Sequence, residues 1–140
     1  MLYFKKNLRI SVKKMVFLIT LFLMMSMIVG CAEKAFIKSK QQNTFEGYSQ
    51  FLESHGDSEF AEEAMKLRDK KAFDAVKQKD TLEAYKLFLS DYADSEYADE
   101  AAYLKTNRMF IITNKISIYD TYLTEYPTGK FIHKIKEQKE

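Results

Sequence analysis

An internal repeat of 37 residues dominates this chain of 140 residues. Residues 34–70 align without gaps on residues 71–107, and identical residues run through the whole match. Among the identical pairs are Phe36/Phe73, Thr44/Thr81, Glu46/Glu83, Tyr48/Tyr85, Phe51/Phe88, Asp57/Asp94, Ala61/Ala98 and Ala64/Ala101. Self-similarity with a period of about 20 to 50 residues is typical of architectures in which one small unit stacks on the next. The chain must therefore build most of its core from one local pattern used repeatedly.

A third, weaker copy occupies residues 108–140. Phe110 takes the place of Phe73, and a deletion of three residues follows it. The aromatic pattern then continues with Tyr119, Tyr122, Leu123 and Tyr126. We predict a repeat domain over 34–140 with units 34–70, 71–107 and 108–140.

Each unit is predicted to form two helices. In the second unit the apolar residues recur in steps of three and four, which is typical of one face of a helix. These residues are Leu82, Tyr85, Phe88, Leu89 and Tyr92. Asp80 with Glu83, and Asn43 with Glu46, have the spacing of a capping box. No strand pattern competes, so we predict an all-α fold of helical hairpins stacked as a solenoid, with a polar last helix over about 130–138 as its cap.

The segment before the repeats has the features of an export signal. Five basic residues and no acidic residue occur in the first thirty positions, and residues 15–29 are almost wholly apolar. A basic region followed by an apolar region of this length predicts a signal peptide. The apolar run is shorter than the roughly 20 residues that a spanning helix needs. An uncleaved membrane anchor is the alternative.

The sequence Ile28-Val29-Gly30-Cys31 resembles the lipobox of bacterial lipoproteins, and Cys31 is the only cysteine of the chain. The resemblance implies cleavage between Gly30 and Cys31 and lipidation of Cys31. It predicts a signal peptide over 1–30 and a lipidated tether over 31–33. In an organism with an outer membrane, Ala32 in place of Asp after the cysteine implies sorting to that membrane.

Charge excludes one class of partner. Without the first thirty residues the chain keeps 17 basic and 20 acidic residues, so the basic balance belongs to the targeting segment. Nucleic-acid binding normally needs a concentrated basic face, which the rest of the chain does not show. We therefore expect no nucleic-acid partner.

Few residues offer acid–base or metal chemistry. His55 stands where the second unit has Tyr92, so it is interpreted as an aromatic packing residue, and His133 as a solvated residue of the last helix. The acidic residues near the start of each second helix are interpreted as charges that favour the helix dipole. They are Asp57, Glu59, Glu62 and Glu63, and again Asp94, Glu96, Asp99 and Glu100. We expect no catalytic residue, metal or cofactor.

The pattern Tyr85-x-x-Phe88-Leu89-x-x-Tyr92-x-x-Ser95-x-Tyr97-Ala98-x-x-Ala101 resembles a tetratricopeptide-type repeat. It is most similar to the variant found in envelope proteins such as the lipoprotein subunit of the outer-membrane β-barrel assembly machinery. The resemblance covers about 34–140. The early Trp and the Leu-Gly pair of the standard repeat are missing. It implies helical hairpins and a role in binding proteins.

The sequence therefore predicts a lipid-anchored scaffold of the bacterial envelope, attached to the membrane through Cys31. The scaffold is expected to bind another protein or a peptide and to serve the assembly of the cell envelope or of outer-membrane proteins. If the organism has an outer membrane, the scaffold is expected there, facing the periplasm. The partner, the binding face and the oligomeric state stay open. The stripe of Tyr and Phe residues is interpreted as core; the alternative is that exposed members of it, Tyr103 or Tyr119, anchor a partner. Two alternatives are an envelope hydrolase or cell-wall-modifying enzyme, and a structural lipoprotein that self-associates.

Overall fold

The computed structural model describes residues 14–20 and 30–140, and this part of the chain consists of helices and the turns between them. Helix α1 covers residues 30–42, and a further helical stretch covers residues 14–20. The helices that follow are α2 (Phe45–His55), α3 (Ala61–Lys79), α4 (Leu82–Asp91), α5 (Ala98–Thr113), α6 (Ile118–Glu125) and α7 (Ile132–Lys139). The described residues contain no strand, so the prediction of an all-α fold is confirmed.

After α1 the helices form three pairs, which we call the first hairpin (α2 and α3), the second hairpin (α4 and α5) and the third hairpin (α6 and α7). Each helix packs mainly on its neighbours along the chain. Buried side chains gather in three separate cores along the chain. Their members are Phe36, Phe51 and Ala64 in the first; Phe73, Tyr85, Phe88 and Ala101 in the second; and Ala102, Tyr103, Tyr119, Tyr122 and Ile135 in the third.

Two long helices belong to two cores each. Helix α3 contributes Ala64 to the first core and Phe73 to the second. Helix α5 contributes Ala101 to the second core and Ala102 with Tyr103 to the third. Both helices are long enough to reach two cores, since α3 covers Ala61–Lys79 and α5 covers Ala98–Thr113.

The links that lead into the three hairpins share one backbone conformation. Asn43, Asp80 and Asn114 end the preceding helices in the left-handed conformation, with φ of 49°, 47° and 51°. Short polar residues such as Asn and Asp tolerate this conformation better than most. The next residue, Thr44 or Thr81, caps the following helix with its hydroxyl. The predicted capping role of Asn43 and Asp80 is therefore wrong, because each ends one helix and the threonine after it begins the next.

The same hydrogen bond recurs at two of these links. The Tyr48 hydroxyl donates to Asn43 Oδ1 at 3.2 Å, and 37 residues later the Tyr85 hydroxyl donates to Asp80 Oδ1 at 2.9 Å. Both tyrosine side chains are buried. The side chain of the left-handed residue thus bonds to a buried tyrosine of the next helix. This bond ties the conformation of the link to the packing of the core.

The aromatic pairs recur in the same way. Phe36 stacks on Phe60 with ring centroids 5.2 Å apart and an interplanar angle of 20°. Phe73 stacks on Tyr97 at 5.2 Å and 22°. Stacked and tilted aromatic pairs add about 0.5–1.5 kcal/mol to the burial of their area. Residues that align at the 37-residue offset therefore make equivalent contacts in the first two cores.

The third core departs from this pattern. Phe110, predicted to take the place of Phe73, is only half-buried and stacks on Tyr119 at 5.2 Å. The ring that stacks on the last helix is instead Tyr103, which lies 4.5 Å from Phe131 at an interplanar angle of 8°. The predicted equivalence of Phe110 and Phe73 is therefore wrong.

The shortened third unit explains this change. Phe73 lies seven residues before the left-handed Asp80, and the residue seven positions before Asn114 is Asn107. An amide cannot fill the space of a phenyl ring, and Asn107 Oδ1 is buried without a hydrogen-bond partner among the described residues. An aromatic residue one helical turn earlier, Tyr103, supplies the missing ring.

Candidate functional site

Cys31 lies in the first turn of α1, and its side chain is exposed. Residues 31–33, predicted as a tether, are helical, and Ala32 is buried. Among the described residues, a Cβ added at Gly30 would meet open space. The apolar residues before it, 21–29, and the basic residues within 1–13 lie outside the described residues. None of the described helices combines the length and apolar character that crossing a membrane requires.

The two histidines occupy different environments. The His55 ring lies 5.4 Å from the Phe51 ring, just as the Tyr92 ring lies 5.0 Å from Phe88, so the interpretation of His55 as an aromatic packing residue is supported. His133 is exposed on α7. The structure therefore gives each histidine a place that needs no acid–base role.

The two tyrosines considered as aromatic anchors are not available to a partner. Tyr103 and Tyr119 are 6% and 2% exposed, and both belong to the third core. Phe131 and Phe110 cover their rings. The alternative that these tyrosines are exposed anchors is therefore wrong, and the candidate binding surface lies elsewhere.

The junctions between successive hairpins differ, although the repeat aligns their residues. At the second junction, Asp99 of α5 accepts hydrogen bonds from the Tyr122 hydroxyl and from the Lys130 amide, the latter at 2.7 Å. Gly129 lies directly against this pair, since a Cβ there would be 2.7 Å from Asp99 Oδ1 and from the Tyr122 hydroxyl. The link between α6 and α7 is therefore closed onto α5.

The first junction is open. Glu62 occupies the place of Asp99 but bonds to Lys66 at 2.6 Å on its own helix. Phe88 occupies the place of Tyr122 and has no hydroxyl to donate, and Ser95 occupies the place of Gly129. A groove of about 500 Å³ remains between α3 and the link that joins α4 to α5. We call it the junction groove; it is lined by Glu62, Met65, Lys66, Arg68, Asp69, Asp91, Tyr92, Ala93, Asp94, Ser95 and Glu96.

Exposure at aligned positions shows the same difference. Met65 is 42% exposed, whereas Ala102, which aligns with it, is 1% exposed. Lys66 is exposed, whereas Tyr103 at the aligned position is buried. The open junction thus places a flexible apolar side chain and several charges on one accessible surface.

The two walls of the junction groove have different chemistry. On the α3 wall, Arg68 pairs with Asp69 at 2.8 Å, and its guanidinium lies 5.5 Å from the centre of the Tyr92 ring. On the opposite wall, Asp91, Asp94 and Glu96 form no ion pair within the described part of the chain. This wall therefore carries three carboxylates that have no ion-pair partner in the described residues.

The tyrosines beside this wall respond to that charge. Burial raises the pKa of Tyr97, and the nearby Glu96, Asp74 and Asp69 raise it further. Burial also raises the pKa of Tyr92; Arg68 opposes this change, and the carboxylates of Asp69 and Asp91 add to it. A negative field disfavours the phenolate, so these shifts agree with a groove of negative potential.

The residues that line the junction groove offer charged, polarisable and aromatic contacts to a partner. Their side chains supply carboxylates, an ion-paired guanidinium, a thioether and an aromatic ring, and no histidine or cysteine lines the groove. Across residues 14–20 and 30–140 no group of three His, Cys, Asp or Glu side chains is arranged to hold a metal ion. The groove could have been found from the positions where the two units differ. These positions are Met65/Ala102, Lys66/Tyr103 and Asp69/Thr106.

Comparisons with models of protein families, with curated proteins and with solved structures gave no match to this chain.

Proposed function

We propose that this chain is a lipid-anchored envelope protein whose helical repeats form a tetratricopeptide-like solenoid and bind another protein. The recurrence of contacts at the 37-residue offset is the observation that carries the proposal. Caps, phenol bonds and ring stacks repeat between the first and second cores. Stacked units of this kind expose long surfaces that suit protein recognition more than chemistry on a small molecule.

The anchor part of the proposal rests on the lipobox-like sequence that ends at Cys31. One observation supports it. The Cys31 side chain is exposed, so a modifying enzyme can reach it. With lipid on the first turn of α1, the repeats lie directly at the membrane surface. In an organism with an outer membrane, this is the periplasmic face of that membrane.

Two measurements test the two parts separately. Metabolic labelling with an alkyne analogue of palmitate should label the wild type and leave Cys31→Ser unlabelled. Crosslinking on intact membranes, followed by affinity capture of the full chain, should recover a protein that the mislocalised Cys31→Ser variant does not. Equal labelling of both chains overturns the anchor, and equal recovery from both overturns the membrane-localised scaffold.

One observation favours a second function, self-association as a structural lipoprotein. Lys40 of α1 pairs with Glu63 of α3, and Lys77 of α3 pairs with Glu100 of α5. Counted from the left-handed residue that ends the helix, the corresponding position in α5 is Ile111. This apolar residue at the far end of the array replaces a paired lysine.

Ile111 is not the only apolar residue exposed there. Ile111 and Ile112 are 67% and 68% exposed, and Ile116 lies close by in sequence and is also exposed. Adjacent exposed isoleucines are a common feature of contact surfaces. Size-exclusion chromatography with light scattering on the detergent-solubilised chain separates the two functions. Self-association predicts a dimer or larger species that Ile111→Lys with Ile112→Gln returns to a monomer, and a monomeric wild type overturns it.

A further inference from the structure

We infer that the junction groove binds an extended segment of a partner protein in which basic residues alternate with aliphatic ones. The inference rests on the proposed scaffold function and names the chemistry of the partner. It concerns the first junction only, because the Asp99–Tyr122 contact closes the second.

The shape of the groove favours an extended segment. Helix α3 forms one wall and the link over residues 91–96 forms the other, and the space between them measures about 500 Å³. An extended chain rises about 3.3 Å per residue and turns successive side chains to opposite sides. A segment that runs along the groove therefore presents one set of side chains to α3 and the other set to the link.

The residues on the two walls indicate which side chains the segment carries on each of its two sides. Met65 projects from α3 at an exposure of 42%, in a position where the second unit buries Ala102. A methionine adapts its shape to different apolar partners, so it suits an aliphatic side chain. Asp91, Asp94 and Glu96 stand opposite without ion pairs in the described residues, so they suit lysine or arginine.

Lys66 and Arg68 offset only part of the charge of the five carboxylates that line the groove, although Glu96 also raises the pKa of Lys66. Arg68 is held by Asp69 at 2.8 Å, and Lys66 is held by Glu62 at 2.6 Å. The bond between Lys66 and Glu62 lowers the pKa of Glu62 and raises that of Lys66. Complementary charge mainly sets the specificity and the rate of association, so the carboxylate wall selects basic segments over acidic ones.

Repeat symmetry supplies a matched control. Asp57 and Glu59 of the first hairpin align with Asp94 and Glu96 but do not line the junction groove. Asp57→Asn with Glu59→Gln therefore changes the net charge by the same amount as Asp94→Asn with Glu96→Gln. If net charge alone determines binding, both double variants bind more weakly. If the peptide binds in the groove, only Asp94→Asn with Glu96→Gln binds more weakly.

The probe is a fluorescein-labelled peptide in which lysine alternates with leucine, and fluorescence anisotropy reports its binding to the full chain in a non-ionic detergent. We expect saturable binding that Asp94→Asn with Glu96→Gln weakens about tenfold, a change of about 1.4 kcal/mol. Met65→Ala should weaken it several-fold, and Asp57→Asn with Glu59→Gln should leave it unchanged. A peptide of alternating glutamate and leucine should not bind.

Three results overturn the inference: no saturable binding of the lysine peptide, equal weakening by the control variant, or equal binding of the glutamate peptide. The scaffold function is judged independently by the membrane capture experiment. If wild-type chain recovers a protein partner and the groove variants recover it equally well, the scaffold stands and the groove is not its binding site. If the wild type recovers no partner above Cys31→Ser, the scaffold itself is wrong.

Discussion

The Tyr122 hydroxyl donates a hydrogen bond to the Asp99 carboxylate, and this bond joins the third hairpin to the second. Asp99 also holds the Lys130 amide at 2.7 Å, so one carboxylate fixes both α6 and the link that follows it. At the first junction Phe88 replaces Tyr122 and Glu62 turns to Lys66. The Tyr122 hydroxyl is thus one of the groups that distinguish the closed junction from the open one.

Tyr122→Phe should lower the free energy of unfolding by about 1.5–3 kcal/mol, because a hydrogen bond to a charged group is lost and Asp99 is left with one donor fewer. Urea unfolding of the full chain in detergent, followed by circular dichroism, measures the change. Tyr92→Phe is the matched control, since the Tyr92 hydroxyl makes no hydrogen bond within the described residues. Equal effects of the two substitutions would show that the Asp99 bond contributes nothing.

Stability should fall at alkaline pH. Burial, the hydrogen bond to Asp99 and the Asp99 charge raise the pKa of Tyr122. A pKa that folding raises gives stability that is complete below the ordinary phenol value of about 10 and is lost as pH rises through the folded value. Burial raises the pKa of the remaining shifted tyrosines in the same direction: Tyr48, Tyr85, Tyr92, Tyr97, Tyr119 and Tyr126.

The measurement is the free energy of unfolding of wild type and Tyr122→Phe between about pH 8 and about pH 11, a range that spans the ordinary phenol pKa. We expect wild-type stability to decline at the upper end and the variant to decline less steeply. Parallel curves for the two proteins would contradict the assigned role of Tyr122.

Gly129→Ala should destabilise the closed junction by about 1–3 kcal/mol, the usual effect of an added methyl group in a packed site. The new Cβ would lie 2.7 Å from both Asp99 Oδ1 and the Tyr122 hydroxyl, so the bond between them must open. Thermal unfolding measures this effect. Ser95→Ala at the aligned position is the control. It adds no Cβ and removes only the hydroxyl that accepts the Tyr97 amide at 3.3 Å, so we expect a smaller loss. A neutral Gly129→Ala would mean that the link shifts without opening the bond.

Asp80 should tolerate asparagine and not alanine. Its carboxylate accepts the Tyr85 hydroxyl at 2.9 Å and the Arg108 Nε at 2.9 Å, and its φ is 47°. Asp80→Asn keeps the phenol bond and the left-handed backbone and loses only a part-exposed ion pair, for a change of at most about 1 kcal/mol. Asp80→Ala loses both bonds and leaves the left-handed backbone without the short polar side chain that tolerates it, for about 2–4 kcal/mol in total. Equal losses from the two variants would contradict this order.

Asn107→Leu should stabilise the chain by about 1 kcal/mol. The substitution removes a buried oxygen that lacks a partner in the described structure and adds apolar volume beside Phe110 and Tyr119. Asn107→Asp is the opposing control, since it introduces a charge at the same place and should destabilise. A destabilised Asn107→Leu would show that the amide makes a bond that the fold requires.

The sequence predicts the helices well, because their apolar stripes have a helical period and the repeat presents each stripe twice. It predicts the links less well. Asn43 and Asp80 have capping-box spacing, yet each ends a helix, and the neighbouring threonine begins the next one. Asn and Asp suit both roles, so their identity alone does not separate an N-cap from a left-handed C-cap.

The junction groove was not predicted, and the reason is instructive. Residues that are identical between the units form the helices and core contacts that the units have in common. The groove depends on positions where the units differ, such as Met65 opposite Ala102 and Phe88 opposite Tyr122. The burial of Tyr103 was missed for a related reason, since it depends on Phe131, which lies 28 positions later in the chain.

Helices α3 and α5 each supply side chains to two cores, so neighbouring cores have a common wall and no flexible seam separates them. If α3 unravels, the core before it and the core after it lose packing at the same time. The three cores should therefore melt in one cooperative step, even though each is too small to persist alone. The same continuity makes the chain mechanically stiff along its length, so that a pull at one end is transmitted to the other as strain in a helix.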